Sequence, residues 1–184
     1  DVPEVEIDAL MYALSLKWSV SKTLSLTPGL EYLSGTSQKD AADPDFNENN
    51  SFNPFYGTNH KFNGNMDYYY VGNHINSVGL QNIYLKVNYG KNRISLGADL
   101  HFFNAAADII DPKNPAETMD KNLGQELDIY LGYKLADNVM LNAGYSQYFA
   151  TESTIALKGG SKDETSNWIW ASLTFKPQFL NTAK

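Results

Sequence analysis

Apolar side chains recur at every second position in seven separate runs of this chain, and this alternation restricts the fold more than any other feature. In the last run, for example, Ile169 and Ala171 alternate with Trp170. A period of two is that of a β-strand, whose successive side chains point to opposite faces of a sheet. The sequence therefore predicts an all-β protein with strands at 10–19, 24–32, 82–89, 93–102, 126–134, 139–149 and 168–176.

The connections between these runs alternate strictly between short and long. Turn-forming residues fill the short ones, and the long ones are polar and irregular. The runs themselves have about the ~9–11 residues that a tilted strand needs to cross a membrane. This layout predicts an antiparallel transmembrane β-barrel, with a short-turn end at 20–23, 90–92 and 136–138 and a long-loop end at 34–79, 104–122 and 151–166.

The predicted strand count is odd, whereas bacterial single-chain barrels have an even number of strands. Backbone polar groups in lipid must all be paired, so an open sheet of seven strands cannot stand alone in a bilayer. One solution is an eighth strand at Asp67–Gly72, which would make residues 1–184 a single, complete β-barrel domain. The other is that residues 1–184 are only part of such a domain, the carboxyl-terminal portion of a larger barrel. We favour the larger barrel, completed by missing amino-terminal strands or partner chains, because a strand at Asp67–Gly72 breaks the alternation of connections.

Composition excludes several classes of protein. The chain has no cysteine, which excludes disulfides and thiol catalysis, and its net charge of −7 with one arginine, Arg93, argues against a nucleic-acid partner. Ser95, Asp99 and His101 share a strand face, but residues two apart stand ~6.6 Å apart and no nucleophile elbow accompanies them. Residues 43–48 imitate half of a calcium loop without its glycine or closing glutamate. We expect no catalytic residues, no metal and no cofactor.

Aromatic residues of the apolar phase are sorted by height along the predicted strands. Amphipathic rings gain at the headgroup level, so two aromatic belts separated by aliphatic residues are typical of a membrane-spanning barrel. This pattern predicts the bacterial outer membrane of a Gram-negative cell, with the lipid bilayer and lipopolysaccharide as partners; a soluble β-sandwich or lipocalin-like barrel is the alternative. The belts comprise Trp18, Tyr89, Tyr133 and Phe175 at the short-turn end and Tyr32, Phe102 and Phe149 at the long-loop end.

The opposite phase of the strands supplies candidate residues for the lining of a pore. Basic residues lie toward the short-turn end and acidic ones toward the middle or the long-loop end, which predicts either a mouth that gathers anions or ordinary interfacial lysines and lumenal salt bridges. The aromatic residues of this same phase predict either stacking against sugars or filling of a narrow lumen. The candidates are Lys17, Glu31, Lys86, Arg93, Asp99, His101, Glu126, Asp128, Tyr130, Lys134, Tyr148, Trp168, Trp170 and Lys176.

The first long connection is rich in aromatic residues and glycine. Such a composition predicts that 34–78 forms a long ordered loop at the barrel mouth, in which His60 and His74 serve packing or hydrogen bonding. The candidate mouth residues are Phe52, Phe55, Tyr56, His60, Lys61 and Phe62.

The chain resembles the alginate-export family of outer-membrane barrels, in the form common in Bacteroidetes-type bacteria. The matching residues are Phe52–Gly57, His60–Phe62, Gly64, Met66–Tyr70, Gly79–Gln81, Leu123, Gly124, Glu126, Asp128, Gly144–Ser146, Leu157–Gly160, Asn167 and Trp168. The resemblance covers what looks like the carboxyl-terminal portion of such a protein. It implies an eighteen-stranded barrel that exports polysaccharide.

The expected function is therefore that of an outer-membrane porin or exporter. Polar solutes, saccharides among them, would pass through a lumen lined by mixed charges and aromatic residues and narrowed by the mouth loop. The second alternative is a non-conducting barrel that serves as an anchor or interaction scaffold. The third is a soluble β-barrel that binds a ligand.

Overall fold

A computed structural model describes residues 4–54, 63–70, 74 and 76–177. Each of the seven predicted runs forms strand structure, which confirms the all-β antiparallel class. The elements are β1 (Glu6–Ile7), β2 (Met11–Ser15), β3 (Trp18–Ser19), β4 (Leu24–Leu33), α1 (Gln38–Ala41), β5 (Glu48–Asn49), β6 (Leu80–Lys91), β7 (Ile94–Asn104), β8 (Ile110–Asp111), β9 (Asn114–Thr118), β10 (Asn122–Ala136), β11 (Val139–Ala150), α2 (Glu152–Lys158) and β12 (Ser166–Phe175).

The main sheet is antiparallel and runs in the order β12-β11-β10-β7-β6-β4-β2, with β3 pairing on β4 beside β2. Within the described residues β12 pairs only with β11, and β2 and β3 pair only with β4, so the sheet is open and does not close into a barrel. Neighbours in this sheet are also successive strands of the sheet along the chain: tight turns join β6 to β7 and β10 to β11, and long connections join β4 to β6, β7 to β10 and β11 to β12.

The first predicted strand is divided into β2 and β3, and Pro28 explains the division. Leu16 lies in the gap, and its backbone N–H donates to the Pro28 carbonyl at 3.0 Å. Proline has no N–H to return to Leu16, so the ladder loses one bond at this point. Because β4 pairs with both pieces, β2 and β3 act as one interrupted edge strand.

The two faces of the sheet have inverted burial. Leu14, Leu96, Ile129 and Leu173, all from the apolar phase, are 74%, 46%, 46% and 50% exposed. In the polar phase, by contrast, Glu126 and Asp128 are fully buried. We call these surfaces the apolar face and the polar face. A sheet that exposes its aliphatic side chains and buries its acidic ones is the reverse of the arrangement in a water-soluble domain.

The hydrophobic core lies at the long-loop end, where the connections pack over the polar face. α2 takes part in this packing: its N-cap residue Thr151 accepts a hydrogen bond from the Thr154 N–H, and Thr154 Oγ1 donates to the Leu123 carbonyl. No helix in the described ranges has the length and apolar character needed to span a membrane. The buried core residues are Tyr69, Val78, Leu80, Phe103, Ala105, Ile109, Leu123 and Tyr148.

Candidate functional site on the polar face

Strand register brings many of the candidate pore residues into two adjacent rows across the polar face. Because the strands are antiparallel and in register, residues directly opposite one another on neighbouring strands form a row perpendicular to the strands. One row is Gly29, Tyr84, His101, Glu126, Tyr148 and Ser166; the next is Thr27, Lys86, Asp99, Asp128, Ser146 and Trp168.

Residues 63–70, here called the docked segment, belong to the first long connection and lie over these rows. The Met66 N–H donates to Glu126 Oε1 at 2.7 Å, and the Asn65 N–H donates to Asp128 Oδ2 at 3.3 Å. Main-chain amides thus meet buried carboxylates, which form stronger hydrogen bonds with such donors than neutral acceptors do. Tyr68 adds a side-chain contact, with its hydroxyl 2.7 Å from Ser166 Oγ on β12.

Glycine permits this close approach. Gly64 has φ +77°, and a Cβ atom built there would stand 2.5 Å from both Cδ and Oε1 of Glu126. Any side chain at this position would therefore combine an unfavourable backbone conformation with a collision against the carboxylate. Asp67 also has a positive φ, of 58°, at the far side of the turn.

A hydrogen-bonded chain leads from the docked segment to β6. Asn65 Nδ2 donates to the Tyr130 hydroxyl at 3.0 Å, the hydroxyl donates to Asp99 Oδ2 at 3.3 Å, and Lys86 Nζ pairs with the same oxygen at 3.2 Å. The structure thereby joins three of the predicted pore residues, Tyr130, Asp99 and Lys86. Their mutual contacts fix the orientation of each side chain.

A second chain uses amide side chains. His101 Nδ1 lies 3.0 Å from Asn82 Oδ1, and Asn82 Nδ2 donates to Asn63 Oδ1 at 3.1 Å. Asp99 and His101 therefore bind different partners, and Ser95 Oγ donates to the Gly132 carbonyl at 3.5 Å. This arrangement does not assemble the three side chains as a catalytic triad.

Tyrosines seal the long-loop end of the site. Tyr68 and Tyr148 stack with ring centroids 4.2 Å apart, and the Tyr69 and Tyr148 hydroxyl oxygens lie 2.6 Å from one another. Burial raises the pKa of Tyr69 well above its ordinary value. The His74 ring packs edge-on against Tyr69 at 5.2 Å, its Nε2 lies 2.9 Å from the Gly79 carbonyl oxygen, and burial lowers the pKa of His74 to about 4.

Among the described residues of the two rows, three buried side-chain oxygen atoms have no hydrogen-bond partner. They are Glu126 Oε2, Asp128 Oδ1 and Ser146 Oγ, and all three residues are fully buried. Asp128 lies between the other two side chains and interacts with both. Within the described ranges, no group of three or more histidine and acidic side chains has the arrangement of a metal site.

The remaining strand candidates lie away from this cluster. Glu31 is buried near the open edge, whereas Lys17, Arg93 and Lys176 are exposed at the short-turn end. Lys134 is also at that end and forms an ion pair with Asp137 at 2.9 Å, which holds the pKa of Asp137 below its usual value.

Two tryptophans occupy the polar face of β12 near the open edge. Trp168 and Trp170 have ring centroids 6.5 Å apart, and Trp168 is half exposed. Trp170 also covers Gly144 of the neighbouring strand. The two rings therefore form a short aromatic surface beside the buried acidic residues.

A cavity of about 250 Å³ lies between β4 and residues of the first long connection. Glu31 and Phe52, from the predicted strand and mouth sets, both line it, with Asn63 and Tyr69 of the docked segment. The other predicted mouth residues, Phe55, Tyr56, His60, Lys61 and Phe62, lie outside the described residues.

Sequence reasoning did not identify the residues that bind the acidic side chains. Asn65 and Met66 act through main-chain N–H groups, which carry no signature in the side-chain pattern. Ser146 and Asn82 do not stand out as binding residues in the alternation pattern, because small polar residues are common on the wet face of any sheet. The glycine at position 64 is a signal that the sequence does offer, since glycine inside a structured loop marks a close approach, and the structure gives it a φ of +77°.

Comparisons with known proteins add no assignment to this geometry: no protein-family model matches the chain, and no curated protein matches it.

Proposed function

We propose that this chain forms part of the wall of an outer-membrane β-barrel that passes polar solutes. The observation that carries the proposal is the inverted burial of the sheet, with aliphatic side chains exposed on one face and carboxylates buried on the other. Hydrocarbon stabilises exposed aliphatic side chains, and a lumen accommodates the polar ones. The outer membrane of a Gram-negative cell provides the hydrocarbon that contacts the apolar face, and a solute path provides the lumen that contacts the polar face.

Aromatic positions support this orientation. Trp18, Tyr89 and Phe175 are exposed on the apolar face close to the short turns, and Phe102 and Phe149 are exposed close to the long loops. Tyr12 and Tyr32 stack at 5.0 Å at the same long-loop level. On β4, Tyr32 is eight residues from Leu24, the partner of Tyr89, or ~27 Å along the strand. At a tilt of ~35–45° this is a height of ~19–22 Å, close to that of an apolar band of ~25 Å.

Both edges of the sheet must be paired in hydrocarbon. Further strands, from this polypeptide or from a partner chain, pair with β12 and with β2 in the proposed barrel. The polar face then surrounds the lumen, in which the docked segment covers Glu126 and Asp128 and the tryptophan pair borders the remaining space. Saccharides are the solute class that the aromatic surface of Trp168 and Trp170 favours, because sugar faces stack on indole rings.

Single-channel recording tests the proposal. The full-length protein, folded in detergent and added to a planar bilayer, is expected to give discrete conductance steps. Repeated insertion without any step would contradict a solute-passing function. Folding in buffer without detergent, with a cooperative transition and no membrane association, would contradict the barrel itself.

A non-conducting anchor is the second candidate, and the docked segment favours it. Main-chain and side-chain hydrogen bonds to Glu126, Asp128, Tyr130 and Ser166 fill the middle of the polar face with protein. A lumen filled in this way would not conduct. Shortening the docked segment distinguishes the two, since a larger conductance indicates a narrowed pore and continued silence indicates a scaffold.

A further inference from the structure

The acidic pair, defined as Glu126 and Asp128, is buried without full compensation of its charge. The two residues are two apart on β10, so their side chains point to the same face, and their carboxylates interact with each other. The docked segment donates one main-chain N–H to each carboxylate, at Glu126 Oε1 and Asp128 Oδ2. Oε2 and Oδ1 remain without donors, next to Ser146 Oγ.

Among the residues that the structure describes, no basic side chain forms an ion pair with this acidic pair. Lys86 is the nearest cation in the rows, and it forms its ion pair with Asp99. Two adjacent buried carboxylates are strongly unfavourable unless a positive charge or a shared proton joins them.

We propose that Glu126, Asp128 and Ser146 bind a small hard cation of the Ca²⁺ class, a site that goes beyond the proposed transport function. Carboxylate and hydroxyl oxygens are the ligands such ions prefer, and water completes their coordination. The N–H groups of Asn65 and Met66 donate to the other oxygen of each carboxylate, Asp128 Oδ2 and Glu126 Oε1, as outer-shell donors orient metal ligands. The cation therefore stabilises the attachment of the docked segment to the strand wall.

Binding of Ca²⁺ and Tb³⁺ to the full-length protein in detergent tests this site. Tb³⁺ emission sensitised by the neighbouring Tyr130 is expected to saturate and to be displaced by Ca²⁺. Glu126→Gln and Asp128→Asn should each weaken the affinity at least about tenfold, while both retain an oxygen that accepts the N–H of the docked segment. Asp137→Asn, in the exposed turn after β10, is the matched control and should bind as the unmodified protein does.

Absence of Tb³⁺ and Ca²⁺ binding at millimolar concentration would overturn the proposal, as would affinity unchanged in both variants. A dependence of stability on pH without a dependence on Ca²⁺ would also overturn it, because a shared proton then joins the carboxylates. If the variants fail to fold, proteolysis of the unmodified protein decides. Cleavage within 63–70 should slow several-fold in Ca²⁺ relative to chelator, and equal rates would refute the site.

Discussion

At the scale of single residues, the docking of 63–70 depends on a close contact between its backbone and the buried carboxylates, which leaves no space for a side chain at residue 64. Gly64 lies against the Glu126 carboxylate, and the next two residues donate their N–H groups to the acidic pair. The contact is between backbone and carboxylate, so substitutions that add side-chain atoms at 64 should be more damaging than substitutions elsewhere in the loop.

We expect Gly64→Ala to reduce the free energy of unfolding by about 1–3 kcal/mol, because it adds backbone strain and displaces a buried carboxylate. Gly159→Ala is the matched control: Gly159 has φ +76°, nearly that of Gly64, but its Cβ would meet no atom within 4 Å. Denaturant unfolding of both variants measures the difference. Equal losses would show that Glu126 is not in contact with residue 64.

His74 makes stability depend on pH. Burial lowers its pKa from 6.5 to about 4, so the folded protein binds fewer protons than the unfolded chain between these values. The contribution of His74 is complete above pH 6.5 and is lost as the pH falls toward 4, up to about 3 kcal/mol.

His74→Gln should remove this component, since glutamine can still donate to the Gly79 carbonyl but does not titrate. The measurement is the free energy of unfolding from pH 4 to 7 for both proteins. The two curves should converge as the pH falls; parallel curves would contradict a buried neutral imidazole.

At the scale of strands, glycines on the polar face are covered by aromatic rings of the adjacent strand. Gly29 is opposite Tyr84, Gly97 is opposite Tyr130, and Gly144 is opposite Trp170. A Cβ added at Gly29 or Gly144 would collide with the covering ring. Such pairs compensate for the weak packing of glycine in a strand and help to define the register.

A double-mutant cycle at Gly29 and Tyr84 tests this pairing. We expect Gly29→Val to destabilise the sheet by about 1–3 kcal/mol when Tyr84 is present, through overpacking. In a Tyr84→Ala background the same change should be close to neutral, because valine favours strands and the ring is gone. A coupling energy of zero in the cycle would refute the contact.

At the scale of the whole molecule, the orientation of the sheet decides its environment. Ser95 and Leu96 are adjacent on β7, both are exposed, and they project to opposite faces. If the apolar face contacts hydrocarbon, Leu96→Arg should destabilise the inserted protein by up to about 2–4 kcal/mol, whereas Ser95→Arg should be tolerated.

Folding of both variants into lipid vesicles measures this difference directly. Equal insertion would contradict the proposed membrane orientation. If both faces of the sheet contacted water instead, the two arginine variants should have similar stability, because either side chain would remain in water.

Much of the fold could be predicted from the sequence because strand alternation is local. Residues 126–134, for example, indicate the faces of β10 without reference to any other strand, and the short turn that follows implies its antiparallel partner. The division of the first strand was not predicted, since it depends on Pro28 lying opposite Leu16. The site was predicted in part: the acidic residues stand out in their phase, but their partners do not.

The sequence alone determined that this is an antiparallel β protein with one apolar and one polar side to every long strand. Only the tertiary structure decided that Glu126 and Asp128 are buried, and what buries them. Their partners, Met66 and Asn65, lie 60 and 63 residues away and contribute main-chain N–H groups. Alternation follows from the geometry of a single strand, whereas a contact between distant backbone and side-chain atoms depends on how the whole chain folds.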